Sequence, residues 1–294
     1  MKPSAERSTQ LRRLLDDRTV VLPGAINALS ARLIERMGFE AVYLSGAVLS
    51  NSVGGVPDTG LMTLSDSLEH SRRVAAACSL PIVADADTGY GGPENAAHTV
   101  RTLEAAGVSG LHVEDQDWPK RCGHLEGKRL ISTEDMCDKI AAAAEAASSP
   151  DFLLLARTDA RGVEGYDAAV RRAHRYLEAG AGGVFPEALN DREEFARFAR
   201  DVPCILLANM TEFGQTAYLT VEEFADMGYR LVIFPVTLQR VAMKAMQECL
   251  SMLRREGTQR DFVDRMQTRE ELYDLLGYEI NASRTAQTRS GEQA

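Results

Sequence analysis

The chain has 294 residues, 45% of them hydrophobic and 26% charged, with a formal net charge of -10. That is enough for a large globular core, and the negative charge argues against a nucleic-acid or anionic-membrane partner, which would be repelled. No run approaches the ~20 apolar residues of a membrane span.

The opening MKPSAERSTQ is charged and lacks the apolar core of a secretory signal. Cys78, Cys122, Cys137, Cys204 and Cys249 form neither a CxxC pair nor a zinc-like spacing. A cytoplasmic protein with reduced thiols is expected. Residues 1–17 read as a leading helix. Short β-rich runs follow at 19–25, 41–46, 81–87, 110–116, 152–160, 183–189, 204–210 and 231–236. Amphipathic stretches lie between them, two of which, GPENAAHTVRTLEAAG and GYDAAVRRAHRYLEAG, end on a glycine suited to a C-cap. Ser132 is a candidate N-cap with Asp135 three residues on. Eight βα units predict an α/β fold, a (β/α)8 TIM barrel, whose usual length is ~250 residues. An open doubly wound sheet is disfavoured, because no glycine-rich dinucleotide fingerprint follows the first strand. A long helix is expected over 237–256 and two shorter helical pieces to about 278, together a C-terminal extension over 237–280. The polar tail 281–294 is expected to be disordered. With no linker and no repeat, one domain over 1–294 is the expectation.

Barrel enzymes carry their chemistry at the carboxyl ends of the strands. Those ends hold Ser45 and Gly46, Asp85 and Asp87, Glu114 and Asp115, Arg157 and Asp159, Glu187, Asn209 and Thr211, and Arg240. Alternation puts Asp85 with Asp87 on one face, and His112 with Glu114. Converging carboxylates repel unless a cation lies among them, and an all-oxygen set suits Mg²⁺ or Mn²⁺. The alternative is that each acid caps a helix or pairs with an arginine. The stretch PKRCGHLEGK sets Cys122 among Lys120, Arg121 and His124 in a long loop after the fourth strand. Neighbouring cations favour thiolate, so the thiol is a candidate general acid; a solvent-exposed loop cysteine is the plain alternative.

In chain order, YLSGA, GVPDTG, DADTGYGG, HVEDQ, KRCGH, ARTDA, FPEAL, LANMTEFG and MQTREELYDLLGY resemble the isocitrate lyase and phosphoenolpyruvate mutase superfamily over roughly 10–280. The resemblance is to its methylisocitrate-cleaving branch. It implies a homotetramer with a helix swapped between barrels, and Mg²⁺-dependent cleavage of 2-methylisocitrate, a small anionic substrate, into pyruvate and succinate. By position it implies metal ligation by Asp85 and Asp87, supported by Asp58 and Glu114. It implies substrate contacts from Ser45, Gly46, Ala47, Gly123, Arg157, Asn209, Thr211, Arg240 and Arg269. Cys122 would be the acid, Glu187 would orient substrate or metal-bound water, and His124 would help close the loop over the anion. Tyr43, beside the SGA turn, is the candidate base, with core packing as its alternative. The substrate methyl is expected beside Phe185, Ile233 and Pro235. Two departures stand out: Ala47 replaces a glycine common in the branch, and TLQR at 237–240 is more polar than expected. Rival readings keep the lyase chemistry on 2,3-dimethylmalate or isocitrate, or make the chain a carboxyphosphonoenolpyruvate phosphonomutase. A Schiff-base mechanism has no strand-end lysine to use.

Overall fold

Leu11, Leu14 and Leu15 fall on one stripe of the leading helix, Ser4–Asp17, because residues three and four apart share a helix face. That stripe packs into the same buried cluster as Val20, Leu22, Tyr43, Val83, Leu153, Leu155, Phe185, Leu207, Leu231 and Ile233. The computed structural model describes residues 3–123, 125 and 127–278. The tail 281–294 and the last two residues of the expected extension lie outside the described residues.

All eight expected strands are present: β1 (Val20–Pro23), β2 (Val42–Leu44), β3 (Ile82–Asp85), β4 (Gly110–Glu114), β5 (Leu153–Thr158), β6 (Gly183–Pro186), β7 (Leu207–Asn209) and β8 (Leu231–Phe234). They are parallel and run in barrel order. Continuous ladders join β2 through β6 and, separately, β1, β8 and β7. The two seams are spanned by single parallel bridges, Gly24 to Tyr43 and Val184 to Leu206. Glycine is required at one seam: a Cβ on Gly24 would lie 2.0 Å from the carbonyl oxygen of Pro235.

Alternation sorts the strands cleanly. Tyr43, Val83, Leu155, Phe185 and Ile233 point into the barrel, while Val42, Ala84, Leu111, Val113 and Ala156 face the helices outside it. The outer helices start where the sequence has caps. Ser132 accepts from the amide of Asp135 at the head of Thr133–Ala146, and Thr63 and Thr220 form capping boxes with Asp66 and Glu223. Gly107 and Gly180, the expected helix stops, have φ of +100° and +110°, which glycine adopts without strain.

Packing divides the chain into units 1–243 and 244–294. The helix Thr237–Glu256 spans the division, and its Val241, Met243, Met246 and Leu250 are exposed on the single chain. The second unit also holds a 3₁₀ segment, Arg260–Arg265, and the helix Arg269–Leu276. Within it Arg265 pairs with Glu248 at 2.7 Å. No helix among the described residues is long and apolar enough to cross a membrane.

Candidate active site

One inward position beyond the apolar layer, the barrel interior becomes ionic. Above Val83 stands Asp85, above Leu155 stands Arg157, above Phe185 stands Glu187 and above Leu207 stands Asn209. His112 and Glu114 share the inward face of β4, as alternation requires. The two are fully buried.

Asp85 accepts from the amide of Gly46 at 3.1 Å and from that of Asp87 at 2.9 Å. Gly46 is needed there, since a Cβ would come within 2.8 Å of Asp85 Oδ2. Its amide, expected to meet a substrate carboxylate, is directed at Asp85. Ser45 caps the short helix Gly46–Val48 from its start, accepting from Val48 at 3.4 Å, and Ala47 lies half-buried in that turn. Asp87 reaches the mouth by a route that alternation does not give. It lies past the end of β3 with φ of +54°, a left-handed conformation that is strained for a residue with a Cβ.

Arg157 is the centre of a buried clamp. Its Nε lies 2.9 Å from Asp159 Oδ2 and 3.3 Å from Glu114 Oε2, and its Nη1 lies 3.8 Å from Glu187 Oε2. Burial works against its charge, but Asp159, Glu187 and Glu114 overcome this and hold it protonated. Lys120 is 4% exposed, with Nζ at 2.5 Å from Asp58 and 3.0 Å from Asp87. Burial opposes its charge too, and Glu114, Asp87, Asp85 and Asp58 outweigh it. Lys128 donates to the carbonyl of Gly123 and pairs with Asp159 at 3.0 Å.

The side chains just placed comprise six carboxylates (Asp58, Asp85, Asp87, Glu114, Asp159, Glu187) and three cations (Lys120, Lys128, Arg157). The surplus shows in proton affinity. Burial, with Asp85 and Asp58 adding to it and Lys120 opposing, pushes the Asp87 carboxyl up to about 6. Burial raises Glu114 well above the carboxylate range against the pull of Arg157. Asp85 moves the other way: burial opposes its ionisation, but His112, Lys120, Arg157 and the Asp87 amide favour it. Burial pushes His112 down to about 4, so at neutral pH the lysine, the arginine and the amide carry that effect.

Among the described residues, no three His, Cys, Asp or Glu side chains form a ready metal cage, and the ammonium of Lys120 lies against two of the four expected ligands. The donor chemistry nevertheless fits a hard divalent cation. The oxygens are carboxylates, and the buried Oε1 of Glu114 has no hydrogen-bond donor among the described residues.

The cysteine loop is seated on this mouth through Gly123. A Cβ there would lie 2.4 Å from Arg157 Nη2 and 2.5 Å from Glu187 Cγ. Cys122 is half-buried beside it. Lys120, expected to tune the thiol, is directed to Asp58 and Asp87. His124 lies outside the described residues.

Tyr43, the candidate base, has a buried partner. It lies inside the barrel, 2% exposed, with its hydroxyl 2.7 Å from His112 Nε2. Burial, reinforced by Asp85, raises its phenol well above the usual value. The core-packing alternative describes its immediate surroundings. Phe185 and Ile233 are likewise buried interior residues, and Pro235 is buried past the end of β8. Phe185 underlies Arg157 at 5.0 Å and meets His112 edge-on at 5.2 Å, so it forms a floor. Asn209 donates to both oxygens of Glu187 at 3.4 Å, and Thr211 is half-buried. Arg240 pairs with Glu212 at 3.3 Å and lies over Phe213. Arg269 opens the helix Arg269–Leu276 of the second unit and is exposed.

Three participants escaped the sequence reading: His112 as the partner of Tyr43, Lys120 as a counter-ion, and Lys128. The first could have been found from its place on the face of Glu114. The lysines carried no signal beyond membership of the loop. Beside the acid mouth, a cavity of about 650 Å³ is lined by Asp87, Lys120, Tyr90, Trp118 and Lys139, among others.

The phosphoenolpyruvate phosphomutase family model matches residues 11–254. The chain belongs to the phosphoenolpyruvate mutase/isocitrate lyase superfamily. It is 51% identical to a 2-methylisocitrate lyase of Aeropyrum pernix over 94% of this chain and 89% of that protein. Its fold matches a 2,3-dimethylmalate lyase at TM-score 0.88 and 36% identity, covering 100% of this chain and 97% of the other. It also matches a phosphonopyruvate hydrolase in complex with oxalate and Mg²⁺, at TM-score 0.83 and 31% identity over 98% and 99% of the two chains. The superfamily is metal-dependent.

Gly123→Ala tests the seating of the loop. The added methyl must move Arg157, Glu187 or the loop itself. Turnover is expected to fall about 10- to 100-fold, in line with the effect of ångström-scale misplacement. The thermal midpoint, followed by circular dichroism, is expected to stay near wild type. Unchanged turnover would mean that the loop position does not matter.

Proposed function

We propose that the chain is a divalent-metal-dependent lyase that cleaves 2-methylisocitrate into pyruvate and succinate. The observation that carries this is the contact of Gly123 with Arg157 and Glu187, which sets the thiol-bearing loop on a mouth rich in buried acids. The name of the Aeropyrum pernix relative supports the substrate, and the Mg²⁺ in the phosphonopyruvate hydrolase complex supports the metal.

Asp85 and Asp87, with Asp58 and Glu114, would hold Mg²⁺ or Mn²⁺. When bound, the cation supplies Lewis acidity toward an α-hydroxycarboxylate and offsets the carboxylate surplus that would otherwise repel an anionic substrate. The remaining work belongs to the side chains. Arg157, fixed by Asp159, and the amide of Asn209 provide donors for a substrate carboxylate, and Glu187 orients the group between them. Transfer of the hydroxyl proton to a carboxylate of the mouth and scission of the carbon–carbon bond release pyruvate and leave two electrons on the succinyl fragment, delocalised into its carboxylate. Donors aimed at that developing charge lower the barrier. Cys122 then gives its proton to the carbon, completing succinate. The methyl group would lie toward the apolar layer of Phe185, Ile233 and Pro235, which underlies the mouth.

The test is a coupled assay for pyruvate and glyoxylate on 2-methylisocitrate, 2,3-dimethylmalate and isocitrate. Efficiency on 2-methylisocitrate should exceed that on isocitrate by about 10- to 200-fold, the usual worth of one methyl contact. Cys122→Ser should lower turnover by several orders of magnitude with little change in product affinity, since serine is a far weaker acid. No pyruvate from any of the three substrates would reject the reading.

Metal binding should depend on pH through Asp87. A proton on a carboxyl titrating at about 6 competes with the cation. Apparent Mg²⁺ affinity should therefore rise up to about tenfold per unit as pH climbs toward 6, and then rise less steeply. The raised Glu114 carboxyl extends the gain above that point. Calorimetry between about pH 5 and 8, in buffers of different ionisation heat, should show proton release that shrinks as pH rises. A flat profile would remove Asp87 from the ligand set.

A homotetramer with a swapped helix is supported by the exposed Met243, Met246, Leu250 and Leu253 on the helix Thr237–Glu256, an apolar stripe that a partner would cover. Light scattering should report four chains at micromolar concentration. A stable monomer would contradict it.

A further inference from the structure

Lys128 ends the cysteine loop and takes no part in the chemistry above. Its side chain is 4% exposed, a place where lysine is found only with partners. Both of its hydrogen bonds point inward. Nζ donates to the carbonyl oxygen of Gly123, five residues back, and to Asp159 Oδ1 at 3.0 Å. The short helix Ala160–Val163 leaves room for it, because a Cβ on Gly162 would already lie 3.4 Å from Nζ.

Asp159 is a fixed anchor. Its amide donates to Asp115 Oδ1 at 2.9 Å. The other oxygen of Asp115 accepts from Thr158 at 2.7 Å and from the hydroxyl of Tyr176 at 2.8 Å. Asp159 in turn receives Arg157 Nε at 2.9 Å on Oδ2. A single immobile carboxylate therefore orients the arginine on which Gly123 rests and the lysine that grips the Gly123 carbonyl. Charge balance alone does not account for Lys128, since an ion pair with Asp159 needs no bond to the loop backbone. The bond to a loop carbonyl does.

We infer that Lys128 is a positioning residue: it ties the Gly123 peptide to Asp159 and so sets where the adjacent Cys122 stands relative to Arg157 and Glu187. This rests on Cys122 being the proton donor, so the test includes a readout that needs no substrate. Lys128→Met keeps the length of the side chain and removes its donors, and Lys128→Arg keeps donors and charge. In the full-length protein with Mg²⁺, alkylation of each cysteine by iodoacetamide is followed by peptide mass spectrometry, beside the thermal midpoint and steady-state kinetics.

The methionine variant is expected to alkylate Cys122 at least about fivefold faster, with Cys137 and Cys204 unchanged. Its kcat should fall about 10- to 100-fold with KM within about threefold, and the arginine variant should recover most of both. A methionine variant with wild-type Cys122 alkylation and kcat overturns the inference. So does one that unfolds or alkylates faster at every cysteine, which would make Lys128 a structural residue. If the wild-type protein shows no lyase turnover, the proposed function fails, while the alkylation arm still decides the place of Lys128.

Discussion

Charge inside a barrel is the constraint from which the rest follows. Moving an isolated carboxylate into a low-dielectric interior costs several kcal/mol even after relaxation, and this mouth holds six of them. Arg157 and Lys120 supply the nearest compensation, each touching at least two acids. Three cations do not balance six acids. The surplus raises the proton affinity of Asp87 and Glu114, and a divalent cation would offset it. The same surplus explains why two lysines of the cysteine loop are drawn inward, and why Asp115 sits behind Asp159 with three donors of its own.

Much of this architecture was legible because it is periodic. Alternation of apolar residues located all eight strands, and it correctly put His112 and Glu114 on one inward face. The same rule succeeded for Asp85 and Asp87 for the wrong reason. The two acids do meet, but Asp87 has left the strand and turned into a left-handed conformation, donating its amide to Asp85. Alternation describes extended backbone and says nothing once the chain turns. Tyr43 illustrates the other limit. Its place beside the SGA turn suggested chemistry, yet its surroundings are decided by His112, 69 residues away. Such contacts come from barrel closure, which no local pattern records.

In the cysteine loop the cations have targets that the charge pattern does not name. Cations around Cys122 suggested an activated thiolate. Instead Lys120 spans to Asp58, 62 residues earlier in the chain, and Lys128 holds the loop backbone to Asp159. The loop's cations act first as anchors. That is a reasonable use of buried lysine beside surplus carboxylate, because each ion pair lowers the cost of the acid while fixing the glycine next to the thiol.

The two ends of the barrel divide stability from reactivity. At one end the leucines of the leading helix pack with the interior apolar layer, and burial of that kind contributes about 1.5–3 kcal/mol per side chain. At the other, Asp87, Tyr90, Ala188 and Phe213 all adopt positive φ in loops that follow β3, β6 and β7. Conformations of that kind cost about 1–3 kcal/mol each and persist only where the surroundings enforce them. At Asp87 the enforcing contacts are the ion pair with Lys120 and the hydrogen bond of its amide to Asp85, and such contacts respond to protonation. The apolar end holds no titratable side chain in its packed cluster apart from Tyr43. A change of pH or metal occupancy can therefore alter the geometry around Asp87 and Glu187 while the barrel beneath keeps its packing, which is the separation that an enzyme working through a charged mouth needs.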